Sequence, residues 1–441
     1  MVKNIFVLGL DSLNKEALER LPGAKKYKFH QLLTREELVA DPISIPRLIA
    51  KADLVLQAFK GKIDAIVGYW DFPGSMLVPL LCERYGLRST SLRSVVVCEH
   101  KYWSRLKQSA HIEEVPQFGL LDLDSPVAQL PDAVDFPVWI KPVKSSSSQG
   151  AYYVPDAEAL ARAREDMRAE VERVGSPFED FLTLLDLPEE VSAAGGRAAI
   201  VEEAAVGHQF TVEGFVQDNE VVLYGVVDSI RVPGWSSFLR YQYPSVLPAP
   251  VRTRALEISE RIVSVMGLNH TTFNIEYFWD EDADRMTLLE INVRHSQSHA
   301  LLFEMVDGFA NHAFMVDLAL GNRPQPLQGA GPHTIAAKWF LRHFADGIVR
   351  RVPSKKEIAA LEKRFPGTVI STKLRVGDRL SDSYGEDSYS YVLAEIFTGG
   401  NTEAELQRIF NACAAGLRFE IDEIPTGFTP EAETAAPTTL V

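Results

Sequence analysis

The residues of this chain best placed by type and spacing to do chemistry lie in one stretch, TTFNIEYFWDEDADRMTLLEINVRHSQSH, residues 271–299. Two runs of alternating polar and apolar residues flank an acidic turn centred near Ala283, which is the pattern of a β-hairpin. With symmetry about that position, Glu276 stands opposite Glu290 and Asn274 opposite Asn292. Period-2 alternation then collects Asn274, Glu276, Glu290, Asn292 and Arg294 on one face. Phe273, Ile275, Tyr277, Leu289, Ile291 and Val293 take the other. Like charges paired directly across strands repel, so two carboxylates and an amide oxygen gathered there call for a cation. Oxygen donors of this kind suit Mg²⁺, which keeps one or two carboxylates and completes its octahedron with water and phosphate oxygens. Arg294 is then placed to grip a phosphate or carboxylate bidentately. The competing reading is a hairpin whose charged face is simply wet.

Upstream, PVWIKPVKSSSSQG offers a short apolar strand, Val138–Ile140, that delivers Lys141 and then a small-residue loop ending in Gly150. Backbone N–H groups and the hydroxyls of Ser146, Ser147 and Ser148 can fold over phosphate oxygens while the lysine balances their charge. A plain linker is the alternative. The segment has neither the GxxxxGKS spacing of a Walker loop nor a GxGxxG fingerprint, and no such fingerprint follows the apolar Ile5–Leu10 either. This removes a nicotinamide-dependent enzyme built on the amino-terminal part. Lys101 and Arg105, four residues apart, read by themselves as an exposed helix face. Glu202 and Glu203 read as an ordinary strand end. His295 and His299 are candidates for accepting a proton near neutral pH, against the alternative of hydrogen-bonded loop histidines.

The elements that must position these groups are also legible. Ile5–Leu10 and Ile63–Tyr69 read as buried parallel strands, with helical Met76–Tyr85 between them and the apolar Val95–Val97. This predicts a small doubly wound α/β unit. Residues 156–174 predict an amphipathic helix capped by Asp156, with Leu160, Ala163, Met167, Val171 and Val174 on one face. Phe210–Val216 and Val221–Asp228 predict a hairpin through Asp218-Asn219. Ala255, Ile258, Ile262 and Met266 stripe a helix that stops at Gly267. Ser354-x-x-Glu357 and Thr402-x-x-Glu405 read as capping boxes, and Cys413 falls on the inward face of the second helix. Ser229–Tyr243 reads as a lid or a surface loop.

With 441 residues, 46% hydrophobic and 24% charged, the chain has room for about three domains and excludes a disordered or fibrous protein. A net charge of −15 argues against nucleic acid or anionic membrane as partner. The three cysteines form no pair or cluster of metal-ligand spacing, and no apolar run reaches the ~18 residues of a membrane span. A cytoplasmic setting is expected.

In order along the chain, Lys101, Lys141, the acidic pair Glu202-Glu203 and the run Glu276…Glu290-Ile291-Asn292-x-Arg294 resemble the ATP-grasp superfamily, over roughly residues 1–420. The resemblance implies an α/β and α+β chain: a pre-ATP-grasp domain (1–100) and an ATP-grasp domain (101–330, two subdomains split near 198). A small C-terminal α/β domain (331–425), similar to that of biotin carboxylase and amino-acid ligases, and a flexible tail (426–441) follow. It implies that Lys101, Lys141 and the loop Ser146–Ser148 with Gly150 contact ATP phosphates, and that the strand at Glu202 and Glu203 reads the adenine and ribose. Glu276, Glu290 and Asn292 would hold Mg²⁺, with Mn²⁺ as an alternative, and Arg294 would touch the transferred phosphoryl group. The implied activity is an ADP-forming carboxylate–amine ligase acting on small, amino-acid-like molecules, with a homodimer as the default assembly. A carboxylase- or kinase-type enzyme, or a non-catalytic nucleotide-binding module, is the alternative. Val293 replaces the proline of the common pattern, Gln209 replaces an acid, SSSSQG replaces a glycine-rich loop, and His295 and His299 stand where many members carry glycines.

Overall fold

The computed structural model describes residues 2–125, 127–145, 150–233, 235, 237–382 and 390–424. They form two compact units: Met1–Gly225 with Leu247–Gln297 and Asn311–Pro326, and Val226–Val246 with Ser298–Ala310 and Leu327–Val441.

The first unit opens on a three-stranded parallel sheet ordered Tyr27–Leu33, Lys3–Leu8, Ala65–Gly68. Ile5, Val7 and Leu8 are fully buried, as an all-parallel strand requires. The strand Tyr27–Leu33 has no clean apolar run and was not expected. Val95–Val97 lies in a helix, Leu92–Glu99, whose cap Ser91 accepts a hydrogen bond from the amide of Ser94.

A four-stranded antiparallel sheet follows, ordered Phe118–Leu121, Ala199–Glu203, Val138–Pro142, Tyr152–Val154. The helix Ala157–Leu182 covers it, with Leu160, Ala163, Met167 and Val171 packed on Val138, Ile140, Val154 and Val201. Asp156 caps it through the amide of Ala159 at 2.9 Å, as its position predicts. The helix runs past residue 174, and its buried face continues at Gly175, Phe178 and Phe181 while Val174 is only half-buried.

The third layer of this unit is an antiparallel sheet ordered Arg285–Asn292, Thr271–Asp280, His208–Gln217, Glu220–Arg231, the last strand running on into the second unit. Asp218 and Asn219 both take positive φ, the backbone of a tight hairpin turn. The helix Ala249–Met266 buries Ala255, Ile258, Ile262 and Met266 and ends at Gly267, φ +74°.

In the second unit the sheet order is Glu220–Arg231, Phe238–Tyr243, Ile335–His343, Tyr391–Gly400, Val369–Ser371. Ser229–Tyr243 is therefore mostly paired strand rather than a loop; residues 234 and 236 lie outside the described set. Trp339 stacks on Phe410 at 4.5 Å over a core that includes Ile396, Leu406 and Cys413. Ser354 forms a full capping box with Glu357. At the second predicted box, Thr402 caps through the amide of Glu405, but the Glu405 carboxylate takes the amide of Asn401 instead. The expected tail, residues 426–441, lies outside the described residues, among which no helix is long and apolar enough to cross a membrane.

Candidate active site

The hairpin Thr271–Asp280/Arg285–Asn292 places Glu276 directly opposite Glu290 and Asn274 opposite Asn292, the register read from the sequence. The turn itself is one residue out of that symmetry, with Asp280 opposite Arg285, and a bulge between Glu276 and Tyr277 restores it. The bulge exchanges two leucines. Leu288, fully buried, fills the apolar face, whereas the half-buried Leu289 offers its carbonyl to Arg105. On the neighbouring strand Thr211 lies opposite Glu276 and Glu213 opposite Asn274, so the polar face extends over three strands.

The two carboxylates differ in their surroundings. Lys101 Nζ lies 3.2 Å from Glu290 Oε2. Burial works against the charge on Glu290, but Lys101 and Lys141, with hydrogen bonds from Lys101 and Asn292, outweigh it and depress its pKa. Glu276 moves the other way: burial first, then repulsion from Glu290, raises its pKa toward neutrality, and Arg294 and a 2.9 Å hydrogen bond from Gln209 only partly offset this. Asn292 Nδ2 sits 3.4 Å from an oxygen of each glutamate and 3.1 Å from Asn274 Oδ1. The amide dipole thus puts its positive end between two acids. The same gap offers oxygen donors of the kind a divalent cation takes, with Asn292 able to present its oxygen if its amide is turned. Among the described residues no group of three or more His, Cys, Asp or Glu is arranged so that it could hold a metal ion by itself. A cation held by this pair would have to complete its shell with phosphate and water, as Mg²⁺ does.

A trio of charges stands behind the pair. Lys141 projects from its strand on the face away from the Val138–Ile140 core, and its Nζ is 2.7 Å from Glu202 Oε2. Arg105 Nε meets Glu202 Oε1 at 2.5 Å, and its Nη2 meets the Leu289 carbonyl at 2.6 Å. Burial opposes ionisation of Glu202, but the two cations hold its pKa far below the carboxylate range. The exposed helix face expected for Lys101 and Arg105 is therefore wrong: Arg105 is 3% exposed, and the guanidinium tolerates burial because an acid, Gln108 and a carbonyl satisfy it. Arg105→Ala should cost about 3–5 kcal/mol, since it strips one of two partners from a buried carboxylate. Urea denaturation checks this, and a loss below about 1 kcal/mol would deny the trio structural weight.

Glu203 is turned toward Arg285, which grips it at 2.6 and 2.7 Å. The amides of Glu203 and Ala204 already donate to the carbonyls of Gln117 and Pro137. Gly150 has φ +65°, a left-handed turn at the loop's end, and Ser146, Ser147 and Ser148 lie outside the described residues. Arg294 Nε and Nη2 hold Asp71 at 2.7 and 2.6 Å.

His295 is fully buried. Its Nδ1 faces Thr272 Oγ1 at 3.2 Å and its Nε2 faces His312 Nδ1 at 2.7 Å, while His312 reaches Asn14 at 2.9 Å. A buried ring engaged at both nitrogens has none open to an incoming amine, so the proton-accepting role expected of His295 does not fit its place. Burial lowers the pKa of His312 to about 4, which keeps that ring neutral. His299, in the second unit, is 3% exposed and packs edge-on against Tyr241 at 5.0 Å. Sequence reasoning missed Asp71, Glu213 and the buried pair Lys144–Glu99, 2.8 Å apart, and read Gln209 only as the replacement of an acid, not as a donor to Glu276. Gln209 and Glu213 share the alternation of the acidic pair; Asp71 and Glu99 carry no local signal.

A family model of the ATP-grasp domain matches residues 134–299. An L-amino acid ligase from Bacillus licheniformis superposes with a TM-score of 0.70 at 14% identity, covering 96% of this chain and 99% of its own. A biotin carboxylase from Campylobacter jejuni, solved as a beta-gamma-ATP complex, superposes with a TM-score of 0.62 at 13% identity, covering 96% and 92%. The uncharacterized protein y4rH of Sinorhizobium fredii is 22% identical over 413 residues, 88% of this chain and 77% of that one. The chain therefore carries an ATP-grasp domain and is built on the ATP-grasp fold.

Proposed function

We propose that this protein is an ATP- and Mg²⁺-dependent ligase that joins a small carboxylate to an amine through an acyl phosphate, releasing ADP and phosphate. The observation that carries this reading is the facing pair Glu276 and Glu290 with Asn292, bracketed by Lys101, Lys141 and Arg294, on an ATP-grasp domain. Glu276, Glu290 and Asn292 would hold the ion, which when bound neutralises phosphate charge. Phosphoryl transfer asks a protein mainly for position and charge. Lys101 and Lys141 present ammonium groups beside the pair, and both are held by acids whose charge they would share with phosphate oxygens. Arg294 is held in place by Asp71 and offers its guanidinium plane to the acyl phosphate. The carboxylate oxygen attacks the γ-phosphorus and displaces ADP; the amine then attacks the acyl carbon and displaces phosphate. The reading places the enzyme in the cytoplasm, with a homodimer as the default assembly.

ADP release should be screened across carboxylic acids, amines and amino acids, with product masses recorded. A condensed product with one phosphate per ADP is expected. A phosphorylated product with no condensation would replace the ligase with a kinase.

A further inference from the structure

We propose that His295 and His312 are positioning residues that fix where the Arg294 guanidinium sits. They form the middle of a one-way file of hydrogen bonds that runs from Thr272 through His295, His312 and Asn14 to Asp11, all within the first unit. The consequence for turnover rests on the reading of Arg294 as the group that meets the acyl phosphate.

The direction of the file follows from its last member. Asp11 caps the helix Ser12–Glu19, and a carboxylate only accepts. The Asn14 amide therefore turns its nitrogen to Asp11 at 2.6 Å and its oxygen to His312 at 2.9 Å. His312 Nε2 must carry the proton of that second bond, which leaves Nδ1 of the neutral ring as an acceptor. His295 Nε2 donates to it at 2.7 Å, and the bare His295 Nδ1 takes the Thr272 hydroxyl at 3.2 Å. Both rings are thereby locked as the Nε2–H tautomer. The file does not conduct protons, because the Asn14 amide does not titrate and interrupts it. Its effect is on geometry.

The file joins the same two segments as the ion pair between Arg294 and Asp71. At one end Tyr69, two residues before Asp71, donates its hydroxyl to Asp11 at 3.2 Å and packs its ring 5.1 Å from that of His312. At the other end His295 directly follows Arg294. The peptide unit between these two residues is held on both sides: Asn274 Nδ2 donates to the Arg294 carbonyl at 2.9 Å, and the His295 amide donates to Thr272 Oγ1 at 3.0 Å. The arginine side chain thus leaves a fixed backbone in a fixed direction, toward Asp71. Both imidazoles are fully buried, and Asn14 and Thr272 are nearly so, so solvent does not stand in for a lost member.

Two readouts need neither ATP nor turnover, so they stand apart from the ligase reading. Nitrogen NMR of the full chain at neutral pH should show both rings uncharged and protonated at Nε2. The Arg294 Nε–H resonance, identified by its loss in Arg294→Lys, should be protected from solvent exchange by Asp71. Its exchange should quicken about tenfold or more in Thr272→Val, which deletes the hydroxyl at nearly constant shape, and recover in Thr272→Ser. His312→Phe, which removes both bonds at the centre of the file, should act like Thr272→Val. A ring protonated at Nδ1, a charged ring, or an Arg294 signal indifferent to both variants would overturn the proposal. In the ligase assay, kcat per folded chain should fall about tenfold or more in His312→Phe with the KM for ATP little changed, since Lys101 and Lys141 are untouched. In an Arg294→Lys background the same change should be nearly silent. A merely structural role would instead multiply the two losses, and that result also overturns the proposal. Wild-type protein that makes no condensed product counts against the ligase reading alone, and the resonances then decide.

Discussion

Glu290→Gln is expected to lower ATP-dependent ADP release by about 10³-fold or more while leaving the fold intact. The substitution keeps the shape of the side chain and deletes the one charge that pairs with Lys101 at 3.2 Å and faces Glu276 across the hairpin. Losing one preorganised electrostatic contact at a transition state costs about 10²–10³-fold, and a divalent cation that loses half of its carboxylate charge should cost more. The structural effect is small because two terms oppose. The Lys101–Glu290 bridge, with Glu290 about a third exposed, contributes about 1 kcal/mol at most. Against this, Glu276 loses the neighbour that raises its pKa. The melting temperature without metal should therefore stay within a few degrees of wild type, and magnesium-dependent stabilisation should vanish. A Glu290→Gln protein that turns over normally would end the metal assignment.

How far this site was visible beforehand follows from the range of its contacts. The hairpin register depends on local alternation and a local turn, so Glu276, Glu290, Asn274 and Asn292 could be paired from spacing alone. Even there, two errors compensated. The turn is displaced by one residue and a bulge corrects it, so the glutamates were right while Leu289 was assigned to the wrong face. The helix Ala157–Leu182 was legible from its Asp156 cap and 3.6-residue period, but at Gly175 the chain at Gly196 passes so close that a Cβ would meet its carbonyl oxygen at 2.6 Å, an approach no local pattern encodes. Arg105 was misread because its acid lies 97 residues away and its carbonyl partner 184 away. Arg294 and Asp71 are separated by 223 positions. Val95–Val97 shows the other limit: a short apolar run fits helix or strand equally, and the Ser91 cap decided it.

Binding of magnesium at this site should release close to one proton at mildly acidic pH, and the affinity should fall by up to tenfold for each pH unit below the titration of Glu276. A cation ligand must be ionised, yet burial and Glu290 favour the protonated form of Glu276. The two glutamates consequently act in separate pH windows. Glu290, whose pKa is depressed, contributes stability that is present above the ordinary carboxylate range and lost as pH falls below it. Glu276, whose pKa is raised, binds its proton more tightly folded than unfolded. Without metal, its effect is that stability falls as pH climbs from the ordinary carboxylate range toward neutrality, where the folded chain must carry an ionised acid beside another. Magnesium should cancel that loss by neutralising the pair. Calorimetry in two buffers of different ionisation enthalpy counts the protons directly, and melts recorded against pH, with and without metal, supply the stability arm. In Glu276→Gln the neutral-range slope should disappear while the acid-range loss from Glu290 remains. Metal uptake with no proton released at mildly acidic pH would mean that Glu276 is already ionised in the folded protein, and that the like-charge pair is held apart by something other than the arrangement described.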